Sequence, residues 1–256
     1  MLRRLLRPRA TLAPHLPAVP AGRRIYAIGD VHGCLDLMER ILARIDADDH
    51  ARGPAETMLV FLGDLVDRGP DTAGVVASAL ELRRSGRSVR FIKGNHEETF
   101  LRALEGREGE MKFFTRIGGQ ETILSYGVDE HDYAAADYEG LRTLALSKVP
   151  TDHRAFLANF ERFVEVGDYL FVHAGIRPGV ALDEQKGSDL RWIRETFLNH
   201  TADHGHMVIH GHTITDEVDE RANRIGIDTG AFRSGRLTAL GLEGTARWYL
   251  DTAEEN

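Results

Sequence analysis

A chain of 256 residues with 42% hydrophobic and 28% charged side chains can bury a full core, is not disordered throughout, and reads most simply as one large domain. No apolar run approaches the roughly 18 residues that a bilayer-crossing helix needs, and a formal net charge of -8 argues against nucleic-acid binding through a basic face. The single cysteine, Cys34, excludes an internal disulfide or a multi-cysteine metal site; it is read as a small packed side chain and fits a reducing, cytoplasmic setting.

Residues 1–24, "MLRRLLRPRATLAPHLPAVPAGRR", hold six arginines, four prolines and no acid, and lack the apolar stretch of a secretory signal, so a flexible basic arm outside the fold is expected. The domain is expected over 25–250, with 251–256 as a tail. "IYAIG" (25–29) reads as a strand, and Leu35, Leu37, Met38, Ile41, Leu42 and Ile45 recur with helical spacing. "MLVFLG" (58–63) is the second strand, followed by a helix from Thr72 to Arg84 that Pro70 and Asp71 introduce; "VRFIKG" (89–94) is the third, followed by a helix beginning near Glu97. This is repeated β-loop-α, hence an α/β layer structure. From about 107 to 162 the pattern turns polar and helical, with Gly118-Gly119 as a break, and reads as an inserted or capping region. Strand-like runs "YLFVHAG", "MVIHGH", "IGIDTGA", "LTALGL" and "ARWYL" follow, with one helix-like piece around Leu190 to Leu198. The closing strands lack intervening helices, which suggests an antiparallel contribution.

The chemistry gathers where strands end. "GDVHG" (29–33), "GDLVDRG" (63–69), "GNHE" (94–97), "HAG" (173–175) and "HGHT" (210–213) each set glycine beside Asp, Asn or His at the carboxyl end of an apolar run. Open α/β sheets place ligands there, and glycine lets backbone pass close to whatever the side chains hold. Carboxylate, amide and imidazole donors without thiolate suit Mn, Fe or Zn. One Gly-Asp is usually a turn; five such ends point to one site.

These motifs resemble the metallophosphoesterase superfamily. "GDLVDRG" with "GNHE" is similar to its phosphoprotein phosphatase branch, and "GHT" followed by "DTGA" (228–231) to the compact bacterial and phage members, over about Ile25 to Leu250. The resemblance implies two mixed β-sheets packed as a sandwich flanked by helices. It also implies two divalent ions, Mn first and Fe or Zn as alternatives. Asp30, His32 and Asp64 would hold one, and Asp64, Asn95, His173 and His212 the other, with a bridging hydroxide as nucleophile. His96 would be the general acid, with Asp67 orienting its ring and raising its pKa, and Arg68 and Arg194 would bind phosphate, Arg191 being the competing choice for the second arginine.

His210 is read as strand packing or as support for the ligands, His204 and His206 as exposed loop residues or a fortuitous surface metal site, and Asp228 as structural. The implied activity is hydrolysis of phosphoserine and phosphothreonine in proteins. The alternative is symmetrical hydrolysis of dinucleoside tetraphosphates, whose enzymes tend to carry Asn or Ala where Asp67 stands and Asp where Glu97 stands.

Overall fold

The computed structural model of the chain describes residues 16–253. Three consecutive β-loop-α units open it: β1 (Arg23–Ile28) and α1 (Leu35–Arg52), β2 (Glu56–Phe61) and α2 (Thr72–Arg84), β3 (Val89–Phe91) and α3 (Asn95–Leu104). The strands pair in parallel, β1 with β2 and β2 with β3. Their alternation decides the layering. Tyr26, Ile28, Leu59 and Phe61 point to one side, where α1 to α3 cover them with Met38, Ile41, Val75, Val76 and Phe100. Ile25, Ala27, Val60 and Leu62 point to the other.

A run of five helices follows: α4 (Glu110–Phe114), α5 (Gln120–Ser125), α6 (Glu130–Ala135), α7 (Tyr138–Lys148) and α8 (Thr151–Ala158). A π-helical turn, Thr115–Gly119, joins α4 to α5, and within it Gly118 leaves helical geometry at φ 112°. The chain then builds β4 (Phe163–Val166), β5 (Tyr169–Val172), α9 (Gly187–Trp192), α10 (Glu195–Leu198), β6 (Met207–His210), β7 (Asp219–Glu220), β8 (Arg224–Gly226), α11 (Ala231–Ser234), β9 (Thr238–Glu243) and β10 (Ala246–Asp251).

Two five-stranded sheets result, in the orders β10-β9-β1-β2-β3 and β4-β5-β6-β8-β7. Both are mixed: β9 runs antiparallel to β1 and β10, and β4 and β7 run antiparallel to their neighbours. Ile25, Val60 and Leu240 of the first sheet share one buried cluster with Phe171, Ile209 and Ile225 of the second, so the sheets face each other. On the far side of the second sheet Leu170, Val172 and Val208 pack on Leu190, Ile193 and Phe197. The order of layers is helix, sheet, sheet, helix.

Several details depart from the sequence reading. Residues 1–15 of the expected arm lie outside the described residues, but the next segment is built into the protein: Val19 is buried, its N–H donates to Gly244 O, the Ala18 N–H donates to Asp168, and β1 already begins at Arg23. The helix expected near Glu97 starts two residues earlier, because Gly94 is its cap and Glu97 reaches back to the Gly94 N–H at 2.9 Å. The piece around Leu190 to Leu198 is two short helices, broken where Ile193 turns extended (ψ 143°) and Arg194 leaves helical geometry (φ -132°, ψ -104°). Strands β4 and β7 were not expected; each lies at an edge of the second sheet. Among the described residues no helix is long and apolar enough to cross a membrane.

Candidate active site

The expected ligands come from the loops at the carboxyl ends of β1, β2, β3, β5 and β6, and the fold brings them together. Asp30, His32, Asp64, Asn95, His173 and His212 are all buried. Asp64 is central. Its Oδ2 lies 3.7 Å from His32 Nε2, 3.9 Å from His96 Nε2 and 3.4 Å from His173 Nε2, while its Oδ1 accepts the His96 N–H at 3.0 Å. Two groups of donor atoms gathered within 4.8 Å share this carboxylate, His32 with Asp64 and His96, and Asp64 with His173 and His212. His96 therefore stands in the first tight group where Asp30 was expected. Asp30 adjoins the second group instead, its Oδ2 accepting the His212 N–H at 3.0 Å.

The glycines of these motifs act by absence of a side chain. A Cβ on Gly94 would collide with the Asp64 carboxylate, and one on Gly211 with Asp30 Oδ1. Gly211→Ala is accordingly expected to destabilise the fold by about 1–3 kcal/mol, as overpacking does, and to loosen metal binding through Asp30. Urea unfolding and a metal titration of the variant would check both, and unchanged metal affinity would contradict the placement.

Whether cations fit can be tested on the donors themselves. Burial lowers the imidazoles, His173 to about 4 and His32 and His212 well below the usual value, so all three are neutral. Each neutral ring has one N–H. His32 Nδ1 spends it on Val66 O at 2.8 Å and His173 Nδ1 on Leu62 O at 2.9 Å, the backbone anchoring common to metal-binding histidines. The Nε2 lone pair of His173 is then left 2.9 Å from Asn95 Oδ1, one acceptor facing another. Asp30 Oδ1 and His212 Nε2 are buried without a hydrogen-bond partner. Burial, with Asp228 and Asp64 nearby, holds Asp30 well above the carboxylate range, and burial pushes Asp64 up to about 6. Buried acceptors that lack donors and carboxylates that resist ionisation are both relieved by positive charge. The residues fit divalent cations.

Beside this basin, Asp67 Oδ2 lies 2.7 Å from His96 Nδ1, both fully buried, and holds the ring with Nε2 toward Asp64. The expected rise in the His96 pKa does not follow: burial lowers it, with only partial compensation from the Asp64 carboxylate. Arg68 projects into the same space, its Nη1 donating to His32 Nε2 at 2.9 Å. Of the two candidate second arginines, Arg191 is tied to Glu98 Oε1 at 2.6 Å, whereas Arg194 is exposed and reaches Thr213 Oγ1, beside His212, at 3.5 Å. Arg194 is the one free to turn toward a ligand.

The remaining histidines stand apart. His210 is buried against the Phe197 ring and receives Arg224 Nη1 at 3.4 Å on Nε2. His204 and His206 are half-buried rather than exposed, His204 tilted against the Phe197 ring and His206 3.2 Å from Glu165, and neither belongs to a metal-ligand group among the described residues. A third such group, Asp129, His131 and Asp132, is fully exposed. Asp228, expected to be structural, accepts the Gly230 N–H at 2.9 Å but also leaves Oδ2 buried and unpartnered near Asp30.

Sequence reasoning missed three supports. Glu97 accepts the N–H groups of Asp64 at 2.9 Å and Leu65 at 2.6 Å, pinning the loop that carries the shared carboxylate. Thr122 donates to Asp67 Oδ1 at 2.6 Å. Phe232 sets its ring edge-on to His32 and under the Arg68 guanidinium, 4.9 Å away. The Glu of "GNHE" was readable as a helix-start signal; the other two are distant in sequence and carry no local signature.

Comparison with known proteins gives the family. Residues 23–228 match the calcineurin-like phosphoesterases, and the chain belongs to that family. It is 30% identical over 224 residues to serine/threonine-protein phosphatase 1 of Salmonella typhimurium, covering 84% of this chain and 90% of that one. It is 25% identical over 233 residues to the asymmetrical bis(5'-nucleosyl)-tetraphosphatase PrpE of Anoxybacillus flavithermus, covering 83% and 88%. A crystal structure provisionally called a diadenosine tetraphosphatase shares the fold with a TM-score of 0.62 at 21% identity, over 94% of this chain and 100% of that one. The chain is thus a hydrolase of the metallophosphoesterase class; its relatives carry names of two different substrate classes.

Proposed function

We propose that the protein is a metal-dependent phosphomonoesterase that removes phosphate from phosphoserine and phosphothreonine in proteins. The carrying observation is the buried His96–Asp67 pair, 2.7 Å apart, set beside the shared Asp64 carboxylate. Cleaving an alkyl phosphate expels a strongly basic alkoxide, which needs a proton as the P–O bond breaks. Cleaving a phosphoanhydride expels a far less basic phosphate, which does not. An oriented acid is thus more useful to a monoesterase than to a tetraphosphatase.

In this reading Asp30, His32, Asp64, Asn95, His173 and His212 hold two divalent cations, and the mixed oxygen and nitrogen donors favour Mn, with Fe or Zn as alternatives. Such a pair, when bound, supplies Lewis acidity that screens phosphoryl charge and acidifies a water. Arg68 and Arg194 grip the phosphoryl oxygens. His96 Nε2 faces the basin and, in the form of the enzyme that carries a proton on both ring nitrogens, delivers the Nε2 proton to the seryl or threonyl oxygen, while Asp67 fixes the ring through Nδ1. The net change adds water across the ester, its oxygen to phosphorus and a proton to the alcohol. The acidic net charge gives nucleic acid no broad purchase, and a single cysteine, Cys34, buried and outside any disulfide, fits a cytoplasmic site of action.

The second reading, dinucleoside tetraphosphate hydrolysis, is favoured by the names of several relatives. Turnover of a phosphoserine peptide and of diadenosine tetraphosphate by the same Mn-loaded preparation separates the two. The peptide is expected to have the higher kcat/KM by at least about 10-fold, and the reverse order would favour the tetraphosphatase.

A further inference from the structure

The helical region from about 107 to 162 was expected as an insertion or cap. Its contacts with the β2 loop point to something more direct. Asp67 and Arg68 are adjacent and both left-handed, φ 73° and 72°, a conformation that non-glycine residues hold only when their surroundings impose it. What imposes it is a short stretch at the start of α5 and the turn before it. Gly118 O accepts the Arg68 N–H at 2.9 Å, and Ile117 O accepts Arg68 Nε at 3.4 Å. Thr122 Oγ1 accepts the Asp67 N–H at 2.9 Å and donates to Asp67 Oδ1 at 2.6 Å, with Thr72 Oγ1 3.0 Å away completing a fully buried trio.

The carbonyls at 117 and 118 are free to bond sideways because the π-helical turn, Thr115–Gly119, breaks the regular ladder there. Gly118 is required twice over. Its φ of 112° excludes an ordinary side chain, and a Cβ would sit 2.6 Å from Arg68 Cγ and 3.0 Å from Arg68 N.

We infer that residues 117–122 form a clamp that positions both the acid's partner and the phosphate-binding arginine, Thr122 acting through Asp67 on His96 and Gly118 acting on Arg68. This makes Thr122 and Gly118 positioning residues for the reaction, in a region that supplies no ligand. The inference rests on the functional reading above. It divides the clamp into two separable effects: the Thr122 end governs proton delivery, and the Gly118 end governs phosphate binding.

Leaving-group chemistry distinguishes positioning from general support of the fold. A phosphoserine peptide needs the proton; p-nitrophenyl phosphate, whose phenolate leaves readily, needs it little. Four Mn-loaded variants, His96→Asn, Thr122→Val, Thr122→Ser and Gly118→Ala, would be assayed on both substrates, with metal content by elemental analysis and melting temperature beside each. Thr122→Val is expected to lower kcat on the peptide by about 10-fold or more, the lower end of general acid loss being about 100-fold, with p-nitrophenyl phosphate and metal content nearly unchanged. Thr122→Ser should restore the peptide rate. Gly118→Ala is expected to raise KM for both substrates by roughly 10-fold, through a displaced charge-assisted hydrogen bond, again with metal retained.

Thr122→Val slowing both substrates equally, or losing metal, would overturn the clamp in favour of a purely structural role. Slow peptide turnover in His96→Asn beside normal turnover in Thr122→Val would overturn the clamp alone. Normal peptide turnover in His96→Asn would overturn the assignment of the acid, and the clamp with it.

Discussion

Asp64→Asn is expected to lose metal and activity together. Asp64 is common to both donor groups, so its charge serves two cations at once. The amide is isosteric and can still accept the His96 N–H that Asp64 Oδ1 accepts at 3.0 Å, so the loop should hold its course. The loss of turnover on any phosphoester should exceed the roughly 10–100-fold that follows removal of an outer support of a metal ligand. Elemental analysis should fall from about two equivalents toward none. After chelation the variant should melt no lower than chelated wild type, because a buried carboxylate held at about 6 by desolvation has been replaced by a neutral group. A variant that keeps two equivalents of metal would refute the ligand assignment.

His96→Asn should separate what Asp64→Asn joins. Metal content is expected to stay, since the six assigned ligands are untouched, while kcat on a phosphoserine peptide falls by about 10²–10⁴-fold. The fall on p-nitrophenyl phosphate should be much smaller. An equal fall on both substrates would mean that His96 serves the metals, as its place in a tight group with His32 and Asp64 allows, and that protonation of the leaving oxygen comes from elsewhere.

The first hundred residues were legible because their strands are parallel and each is ended by glycine; the central pair, β1 and β2, are apolar runs buried on both faces, as "MLVFLGD" shows at β2, and the edge strand β3 keeps the same ending in "VRFIKG". The edge strand β4 escaped notice because Phe163–Val166 is short, with an exposed Glu165 breaking its apolar run. The ligands were readable for a related reason. A metal needs several hard donors at sharp turns, and sharp turns leave glycine in the sequence. Supports leave no such trace. Thr122 is 55 residues from Asp67, and nothing around it differs from an ordinary helical threonine. The break at Gly118-Gly119 was visible, but its use was not, because a kinked helix shows what it holds only when the partner backbone is in place.

Among the described residues, five that are not glycine adopt positive φ, and all five belong to this site: His32, Asp64, Asp67, Arg68 and His212. At about 1–3 kcal/mol for each such conformation, the catalytic rim opposes the rest of the fold. Selection for heat tolerance alone would therefore drift toward glycine at these positions, and a sturdier descendant that no longer turned over would be the natural result. Durability and turnover are antagonists in this molecule, and the antagonism is written into its main chain as well as its side chains.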